Sequence, residues 1–173
     1  MKQIAEITDM DILNKDGYSN AEPRITARAI LENKSNLFAL MYSDDFDFYS
    51  FPGGGVGKGE DILETLKREI KEETGCNCST IEELGFVKEN RAYYDYTQIS
   101  YYFFVRTNDT ELRPVFTEAE KRHKTTVNWY LLDDVIKLIK EPFYDNIQKR
   151  FLQARDIAAL NEFLKNNASI SSS

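Results

Sequence analysis

The sequence predicts an α/β (α+β) fold in which a mixed β-sheet is sandwiched between helices. Three observations favour it: segments of alternating polarity recur along the chain, an amphipathic helical segment follows a glycine-rich loop, and two more helical segments follow the last strand. The length of 173 residues suits one domain with a sizeable core. We therefore expect a single domain over residues 1–165 and a disordered tail at residues 166–173.

The strand and helix segments follow from local patterns. The strand segments are residues 4–7, 25–31, 37–42, 46–51, 81–87, 98–106 and 127–131. A polar turn at residues 33–36 joins the second and third strands into a β-hairpin. The later helical segments are residues 132–140, which end before Pro142, and residues 147–164. The stretch 113–124 is polar and predicts a loop.

Net charge and cysteine usage exclude several classes of protein. The formal net charge is −7 and the pI is about 4.9, which argues against a surface for duplex nucleic acid or an anionic membrane. A nucleotide remains compatible, because a bound metal can reverse the local field. Cys76 and Cys78 are poorly spaced for a framework disulfide and lack histidine partners for zinc, so we expect reduced thiols and a cytoplasmic protein. The acidic N-terminal segment is not typical of a signal peptide, and no apolar run reaches membrane-spanning length.

Residues 52–76, PGGGVGKGEDILETLKREIKEETGC, are the segment around which the chain is organised. Its five glycines before residue 60 let the loop backbone approach a bound ligand closely. Glu60 is expected among the first residues of the following helix, where a carboxylate complements the positive end of the dipole. Gly75 is expected to end that helix as a C-cap.

This helix carries both an apolar stripe and acids. The stripe consists of Ile62, Leu63, Leu66 and Ile70. Glu69, Glu72 and Glu73 lie three and four residues apart, so they are expected to converge on one face. Glu73 lies about 20° from Ile62 on the helical wheel, where an acid is costly unless neutralised. A hard divalent cation would neutralise it. The alternative is a solvated acidic surface braced by lysines and Arg68 through i,i+4 pairs.

The spacing of these residues resembles a known signature. The pattern consists of Gly54, then five residues, then Glu60, then seven residues, and finally REIKEETG at 68–75. This pattern is similar to the signature box of the Nudix hydrolases (MutT-type). Cys76 replaces an aliphatic residue that is usual in the family, and Gly57 stands where many relatives carry an acid. The box covers about a seventh of the chain. The resemblance implies the Nudix α/β/α sandwich, and the order of the surrounding elements is also similar.

The resemblance implies an enzyme that cleaves a diphosphate bond in a nucleoside diphosphate derivative, with Mg²⁺ or Mn²⁺ as cofactor. By analogy with the family, Glu69 and Glu73 are the main metal ligands. Glu72 assists as a ligand or by activating water, and a backbone carbonyl of Gly53 or Gly54 completes the coordination.

The same resemblance assigns supporting roles. Arg68, grouped with the catalytic acids, resembles the family's structural arginine, which orients those acids by charged hydrogen bonds. Glu60 is expected to play a similar supporting role, and Gly75 a structural one. Gly54, Gly55 and Lys58 are expected to contact the substrate.

A further acid from a downstream loop serves many relatives as general base or extra ligand. Glu118 and Glu120 precede Trp129, which resembles the usual tryptophan after that loop, and we favour Glu120. Asn128 stands where some relatives have the acid. His123 is the alternative base by its pKa, and all these loop residues also suit plain solvent exposure.

Aromatic and basic residues are the candidates for substrate recognition. The aromatic residues are Tyr93, Tyr94, Tyr96, Tyr101, Tyr102, Phe103 and Phe104. One could stack on a nucleobase, while alternating members of a strand also fill a core. Lys58, Lys88 and Arg91 are candidates for phosphate contacts, against a role in solubility.

The expected partner is a nucleotide-type small molecule. Further signatures that sort the family are missing, which leaves a MutT-like (d)NTP or modified-nucleotide pyrophosphatase as the prediction. An ADP-sugar or dinucleoside-polyphosphate pyrophosphatase is the alternative. A catalytically silent nucleotide-binding or regulatory domain is a third reading, although such domains typically lose box acids that are present here. The sequence leaves open whether helix 147–164 packs on its own sheet or on a second copy in a homodimer.

Overall fold

A mixed β-sheet lies at the centre of the computed structural model, which describes residues 1–109, 114–116, 118, 121 and 124–170. Within these ranges the strands are β1 Gln3–Thr8, β2 Arg24–Asn33, β3 Phe38–Ser43, β4 Phe48–Ser50, β5 Gly53–Gly55, β6 Thr80–Arg91, β7 Tyr96–Thr107 and β8 Thr125–Tyr130. The helices are α1 Asp9–Leu13, α2 Ile62–Thr74, α3 Leu132–Lys140 and α4 Ile147–Ile170. None of the helices in this part of the chain has the length and apolarity that a bilayer crossing requires.

The sheet follows the strand order β1-β6-β7-β2-β3-β4, with β5 paired to β2 and β8 to β3. β1 runs parallel to β6 and β2 parallel to β7. The remaining pairs are antiparallel, which confirms the predicted mixed sheet and the hairpin of β2 and β3. Because β5 pairs with β2, the glycine loop is fixed on the sheet, with Gly53 opposite Arg28 and Gly55 opposite Thr26.

Helices cover both faces of the sheet, because side chains of a strand alternate between faces. On one face, Ala27, Ala29 and Leu31 of β2 pack with Leu66 and Ile70 of α2. On the other face, the core includes Ile30, Phe104, Val135, Phe151, Leu160 and Phe163. Helix α4 therefore packs on its own sheet, and the predicted sandwich is confirmed. A homodimer stays a prediction.

Two strands differ in length from the sequence prediction. β4 is shorter than residues 46–51, because Asp47 adopts a left-handed backbone conformation (φ 44°) in the turn before it. β6 extends beyond the predicted end at residue 87 as far as Arg91. Two of its last residues, Glu89 and Arg91, are charged but buried, and Arg91 donates hydrogen bonds to Glu89. Mutual neutralisation therefore lets two charged residues continue a buried strand.

The helices differ from the prediction at two places. Helix α1 is not predicted by the sequence pattern, because it is only five residues long. Helix α4 runs to Ile170, beyond the predicted end at residue 164. Asn167 continues it by donating a side-chain hydrogen bond to the carbonyl oxygen of Phe163 (3.2 Å). Residues 166–170, expected as tail, are therefore helical, since a helix once formed propagates at little cost; residues 171–173 lie outside the described part.

The apolar stripe of α2 is confirmed at its centre but not at its start. Leu66 and Ile70 are fully buried, whereas Leu63 is 41% exposed. Leu63 lies in the first turn of α2, at the exposed end of the helix. The two leucines therefore form a matched pair for testing how α2 is held on the sheet.

We expect Leu66→Ala to lower the free energy of unfolding by about 2–5 kcal/mol, because it removes apolar contacts and leaves a cavity. Leu63→Ala should cost less than about 1 kcal/mol, as for most exposed sites. Urea denaturation followed by circular dichroism measures both losses. Equal losses for the two variants would contradict this packing of α2.

Candidate active site

The glycine loop enters the sheet at a position that excludes any side chain. Gly53 has a φ of 137°, and a Cβ there would lie 2.2 Å from the carbonyl oxygen of Ala27 on β2. The N–H of Gly53 donates a hydrogen bond to Oε2 of Glu73 (2.6 Å). The tight packing of β5 on β2 therefore fixes an acid near the end of α2.

Both ends of α2 are capped. Asp61 is the N-cap, and its carboxylate accepts hydrogen bonds from two backbone N–H groups of the first turn, while Glu64 completes a capping box. Gly75 is the left-handed C-cap, as the sequence predicts. The expected position of Glu60 within the helix is wrong, because it precedes the N-cap. Its carboxylate instead accepts a hydrogen bond from the N–H of Gly57 (3.0 Å).

Arg68 joins this loop to the acids of the helix. Its Nε and Nη2 donate to the two carboxylate oxygens of Glu60 (2.8 and 3.0 Å). Its Nη1 donates to Glu69 (2.8 Å) and to Glu72 (3.2 Å). Nη2 also lies 3.4 Å from the carbonyl oxygen of Gly55. A planar guanidinium with five donors suits such a network, and a lysine could not reproduce it.

The three box acids take two orientations. Glu69 and Glu72 bind Arg68, whereas Glu73 is buried (8% exposed) and binds Gly53. The three acids were expected to converge on one face of the helix, and their hydrogen bonds divide them between Arg68 and the N–H of Gly53. Accordingly, no group of three or more His, Cys, Asp or Glu side chains within the described ranges is placed to hold a metal ion. A helical wheel could not predict this, because the hydrogen-bond donors come from the loop.

The donor chemistry of the site nevertheless fits a hard divalent cation. Carboxylate and carbonyl oxygens are the ligands that Mg²⁺ and Mn²⁺ prefer. At Gly54, a Cβ would lie 2.3 Å from Oε1 of Glu69, so the glycine leaves the space in which that carboxylate meets the loop. Glu73 meets the same loop one residue earlier, at Gly53. Glu69 and Glu73 are thus both brought to the loop at Gly53 and Gly54.

Two cavities lie between the sheet and α4, close to β5. One, of about 320 Å³, is bordered by Gly53 and Glu73. The other, of about 350 Å³, is bordered by four arginines, which are Arg24, Arg28, Arg91 and Arg155. Arg28 borders both cavities. Glu73 therefore extends from the end of α2 to a cavity whose far wall contains residues of α4.

From the sequence, only Arg91 among these four arginines was a candidate for phosphate contacts. Arg24, Arg28 and Arg155 were not singled out. Arg28 lies in a strand whose neighbours are Ala27 and Ala29, both fully buried. Arg155 lies within the apolar face of α4 and is 1% exposed. A charged residue at a core-facing position must be neutralised by something. A charged residue among buried apolar neighbours was therefore the sequence signal that could have pointed to Arg28 and Arg155 as candidate functional residues.

The remaining predicted site residues lie elsewhere or outside the described ranges. Lys58 is exposed in a turn and borders neither of the two cavities. Glu118 is exposed, and its hydrogen bond from Lys121 lowers its pKa. Glu120, the favoured additional acid, and His123 lie outside the described residues.

The aromatic candidates divide between the core and the site. Tyr102, Phe103 and Phe104 are buried, which confirms the core interpretation for them. Tyr94 and Tyr96 border the cavity with the arginines.

Asn128, which stands where some relatives have the additional acid, lies on β8 and is exposed.

Comparison with known families agrees with this geometry. A model of the NUDIX domain matches residues 22–154, so the chain belongs to the Nudix family, and its predicted membership among these hydrolases is confirmed. The chain is 30% identical over 161 residues to an RNA pyrophosphohydrolase of Rhodopseudomonas palustris (strain HaA2), a match covering 79% of this chain and 95% of that protein. Matches to other curated relatives span only 20–46% of the relative's length. Enzymes of this family generally use a divalent metal and act on nucleotide-type substrates.

Solved structures share the fold. A MutT NUDIX hydrolase from Burkholderia pseudomallei superposes with a TM-score of 0.57 at 20% identity, over 78% of this chain and 98% of that chain. The NUDIX domain of Shewanella oneidensis NrtR, solved in complex with ADP ribose, gives a TM-score of 0.57 at 18% identity, over 79% and 89% of the two chains. At these identities the likeness establishes the fold.

The Glu60–Arg68 pair should make stability depend on pH. Hydrogen bonds from Arg68 and from the N–H of Gly57 lower the pKa of Glu60 from 4.5 to about 2. Because the folded-state pKa is depressed, the stabilisation is fully present above pH 4.5 and is lost as the pH falls towards 2. We expect the urea midpoint to fall more steeply across this window in the unsubstituted protein than in Glu60→Gln. An NMR titration of the Glu60 carboxyl with a midpoint near 4.5 would contradict the pairing.

Proposed function

We propose that this chain is a Mg²⁺-dependent Nudix hydrolase, with Mn²⁺ as an alternative ion, that cleaves a diphosphate bond in a nucleoside diphosphate derivative. Within that class we propose a MutT-like (d)NTP or modified-nucleotide pyrophosphatase. The observation that carries the proposal is the acid set anchored by Arg68 beside Gly53–Gly55, with Glu73 bordering a cavity next to buried arginines. The name of the Rhodopseudomonas relative describes a reaction of the same class.

In this proposal, the residues of the site have distinct roles in holding the cation and orienting its ligands. Glu69, Glu73 and Glu72 would hold the cation with a backbone carbonyl of Gly53 or Gly54. When bound, a divalent cation screens phosphoryl oxygens and lowers the pKa of water. Arg68 fixes the orientation of two of these carboxylates through its hydrogen bonds. Phosphoryl transfer depends mostly on positioning and charge stabilisation, which is what such a network supplies.

A second candidate is an ADP-sugar or dinucleoside-polyphosphate pyrophosphatase. It is favoured by one observation, the ADP ribose bound to the Shewanella neighbour. A silent nucleotide-binding or regulatory domain would need the cavity but not the acids, and Glu69, Glu72 and Glu73 are all present. We retain Glu120 as the proposed additional acid, acting as general base or extra metal ligand. A cytoplasmic location is supported by Cys76 and Cys78, which are free thiols.

The test is release of phosphate or pyrophosphate from a panel of nucleoside triphosphates, modified nucleotides, ADP-sugars and dinucleoside polyphosphates. Each substrate is assayed with Mg²⁺, with Mn²⁺ and with EDTA. We expect turnover only with a divalent cation. Hydrolysis that continues unchanged in EDTA would refute the proposed cofactor, and no turnover on any member of the panel would favour the silent domain.

Substitution of the box acids tests the assigned roles. Glu72→Gln and Glu73→Gln should lower kcat by roughly 10²–10⁴-fold, because each removes a charge that holds the cation or activates water. Glu64→Gln on the same helix is the matched control, since glutamine also serves in a capping box. Circular dichroism verifies folding of all three variants. Near-normal turnover in Glu73→Gln would refute the role of Glu73 as a metal ligand.

The contact between Gly54 and Glu69 gives a separate prediction. A Cβ at Gly54 would displace the Glu69 carboxylate, so Gly54→Ala should weaken Mn²⁺ binding by roughly tenfold or more. In Gly55→Ala the new Cβ meets only the flexible end of Arg24, at 3.1 Å, and should leave Mn²⁺ affinity within about twofold. Calorimetry measures both affinities. Equal affinities in the two variants would show that Glu69 is not a ligand.

A further inference from the structure

Four arginines border one cavity in a chain whose net charge is −7. Arg24 and Arg28 come from β2, Arg91 from the end of β6, and Arg155 from α4. Three distant segments of the chain thus bring cations to one place. Such a concentration of positive charge in an acidic protein is not explained by composition, and it needs a local cause.

Two of the arginines are neutralised by buried acids. Arg91 donates hydrogen bonds to Glu89, and Arg155 donates one to Asp156 (3.0 Å). Arg155 also lies 3.9 Å from Glu89. These acids and Arg155 are almost completely buried, and two acids balance the charges of two arginines within the cluster.

The other two arginines are not neutralised in this way. Arg28 donates one hydrogen bond, from Nη1 to the carbonyl oxygen of Phe51 (3.0 Å), while its buried Nε has no partner among the described residues. Burial and the nearby charge of Arg155 lower the pKa of Arg28, and the opposing effects of Tyr102, Asp156 and Glu73 do not offset them. Arg24 forms no ion pair with any residue that the structure describes, and its guanidinium lies beside Gly55. A buried donor without a partner is costly, and an arriving anion would remove that cost.

The location connects this cavity to the box. Arg28 pairs with Gly53 across the β2–β5 ladder and also borders the cavity that contains Glu73. A diphosphate held at the box acids would therefore direct its next group towards Arg28 and Arg24. Arg24 and Arg28 form no ion pair with the described residues, and their two charges match that of a terminal phosphate, which is about −1.5 to −2 at neutral pH. The neutral hydroxyl groups of a sugar would leave both cations without a counter-charge.

We propose that the arginine cavity is a binding subsite for a terminal phosphate, and that the substrates are therefore triphosphates rather than nucleoside diphosphate sugars. This inference rests on the proposed function and narrows its substrate class. The same 5′-triphosphate chemistry is found on free nucleotides and on RNA ends. Arg24 and Arg28 contact the phosphate, while Glu89 and Asp156 keep Arg91 and Arg155 in place behind them.

The first experiment measures binding without catalysis. Calorimetry in EDTA compares inorganic tripolyphosphate with inorganic pyrophosphate, so neither a nucleobase nor a metal contributes. We expect tighter binding of tripolyphosphate, weakened roughly 10- to 100-fold in Arg28→Gln and in Arg24→Gln. Arg106→Gln is the matched control, because Arg106 lies near the other end of the β2–β7 ladder, where it pairs with Glu32 and Glu82. It should leave affinity within about twofold.

The second experiment measures kcat/KM with Mg²⁺ for GTP, for a 5′-triphosphorylated oligoribonucleotide and for ADP-ribose. Arg24→Gln and Arg28→Gln should reduce the values for triphosphates at least tenfold more than the value for ADP-ribose. The comparison of GTP with the oligonucleotide identifies which source of triphosphate the enzyme prefers. Arg24 is exposed, so its variant keeps the test valid if Arg28→Gln does not fold.

The two proposals can fail separately. If tripolyphosphate binds no more tightly than pyrophosphate, or if Arg24→Gln and Arg28→Gln bind it like the unsubstituted protein, the subsite is refuted even when hydrolysis is observed. Equal losses on GTP and ADP-ribose would refute it as well. If no substrate is hydrolysed but tripolyphosphate binding depends on both arginines, the subsite stands and the proposed hydrolase activity does not.

Discussion

The guanidinium of Arg68 connects helix α2 to the loop before it. It contacts Glu60 ahead of the helix cap, Glu69 and Glu72 on the helix, and lies close to the carbonyl oxygen of Gly55. A single exposed ion pair contributes about 0–1 kcal/mol, so no one of these contacts would hold the loop. Several bonds to one planar donor depend on one another, however, and together they restrict where each carboxylate can point. The orientation of the box acids is therefore set by the arginine and the loop as well as by the helix.

The short strand β5 connects this network to residues on the other face of the sheet. β2 pairs with β5 at residues 26–28 and with β3 at Glu32, so it changes partner along its length. Beside this change of partner, Gly53 binds Glu73 through its N–H and lies opposite Arg28. An acid from the α2 side and an arginine from the α4 side thus border one cavity. A larger residue than glycine at position 53 would push β5 away from β2 and separate the two.

Local patterns predicted most of the fold and supplied the candidate residues of the site. Alternation located the long strands, Gly75 marked the end of α2, and the spacing of the box singled out Arg68 and the three acids as candidates. What could not be predicted depends on contacts between distant segments. Arg28 and Arg155 look like misplaced charges in apolar elements. Arg155 is explained once β6 supplies Glu89 and its own helix supplies Asp156, whereas Arg28 is explained by the two cavities that it borders. Likewise, the helical wheel gave the burial of Glu73 but not its partner, because that partner is a backbone N–H placed by the unusual φ of Gly53.

The distribution of charge explains how an acidic chain can receive an anionic substrate. The net charge of −7 acts over the whole surface and is screened by salt within about 10 Å. Inside the arginine cavity, buried acids offset Arg91 and Arg155, so the remaining positive charge is concentrated on Arg24 and Arg28. The buried Nε of Arg28 has no hydrogen-bond partner among the described residues, which lowers the stability of the fold. Proteins keep such locally unfavourable groups where function requires them, and here the group lies opposite the glycine that binds Glu73. The same strand pair therefore carries both the cost to stability and the proposed attraction for the substrate.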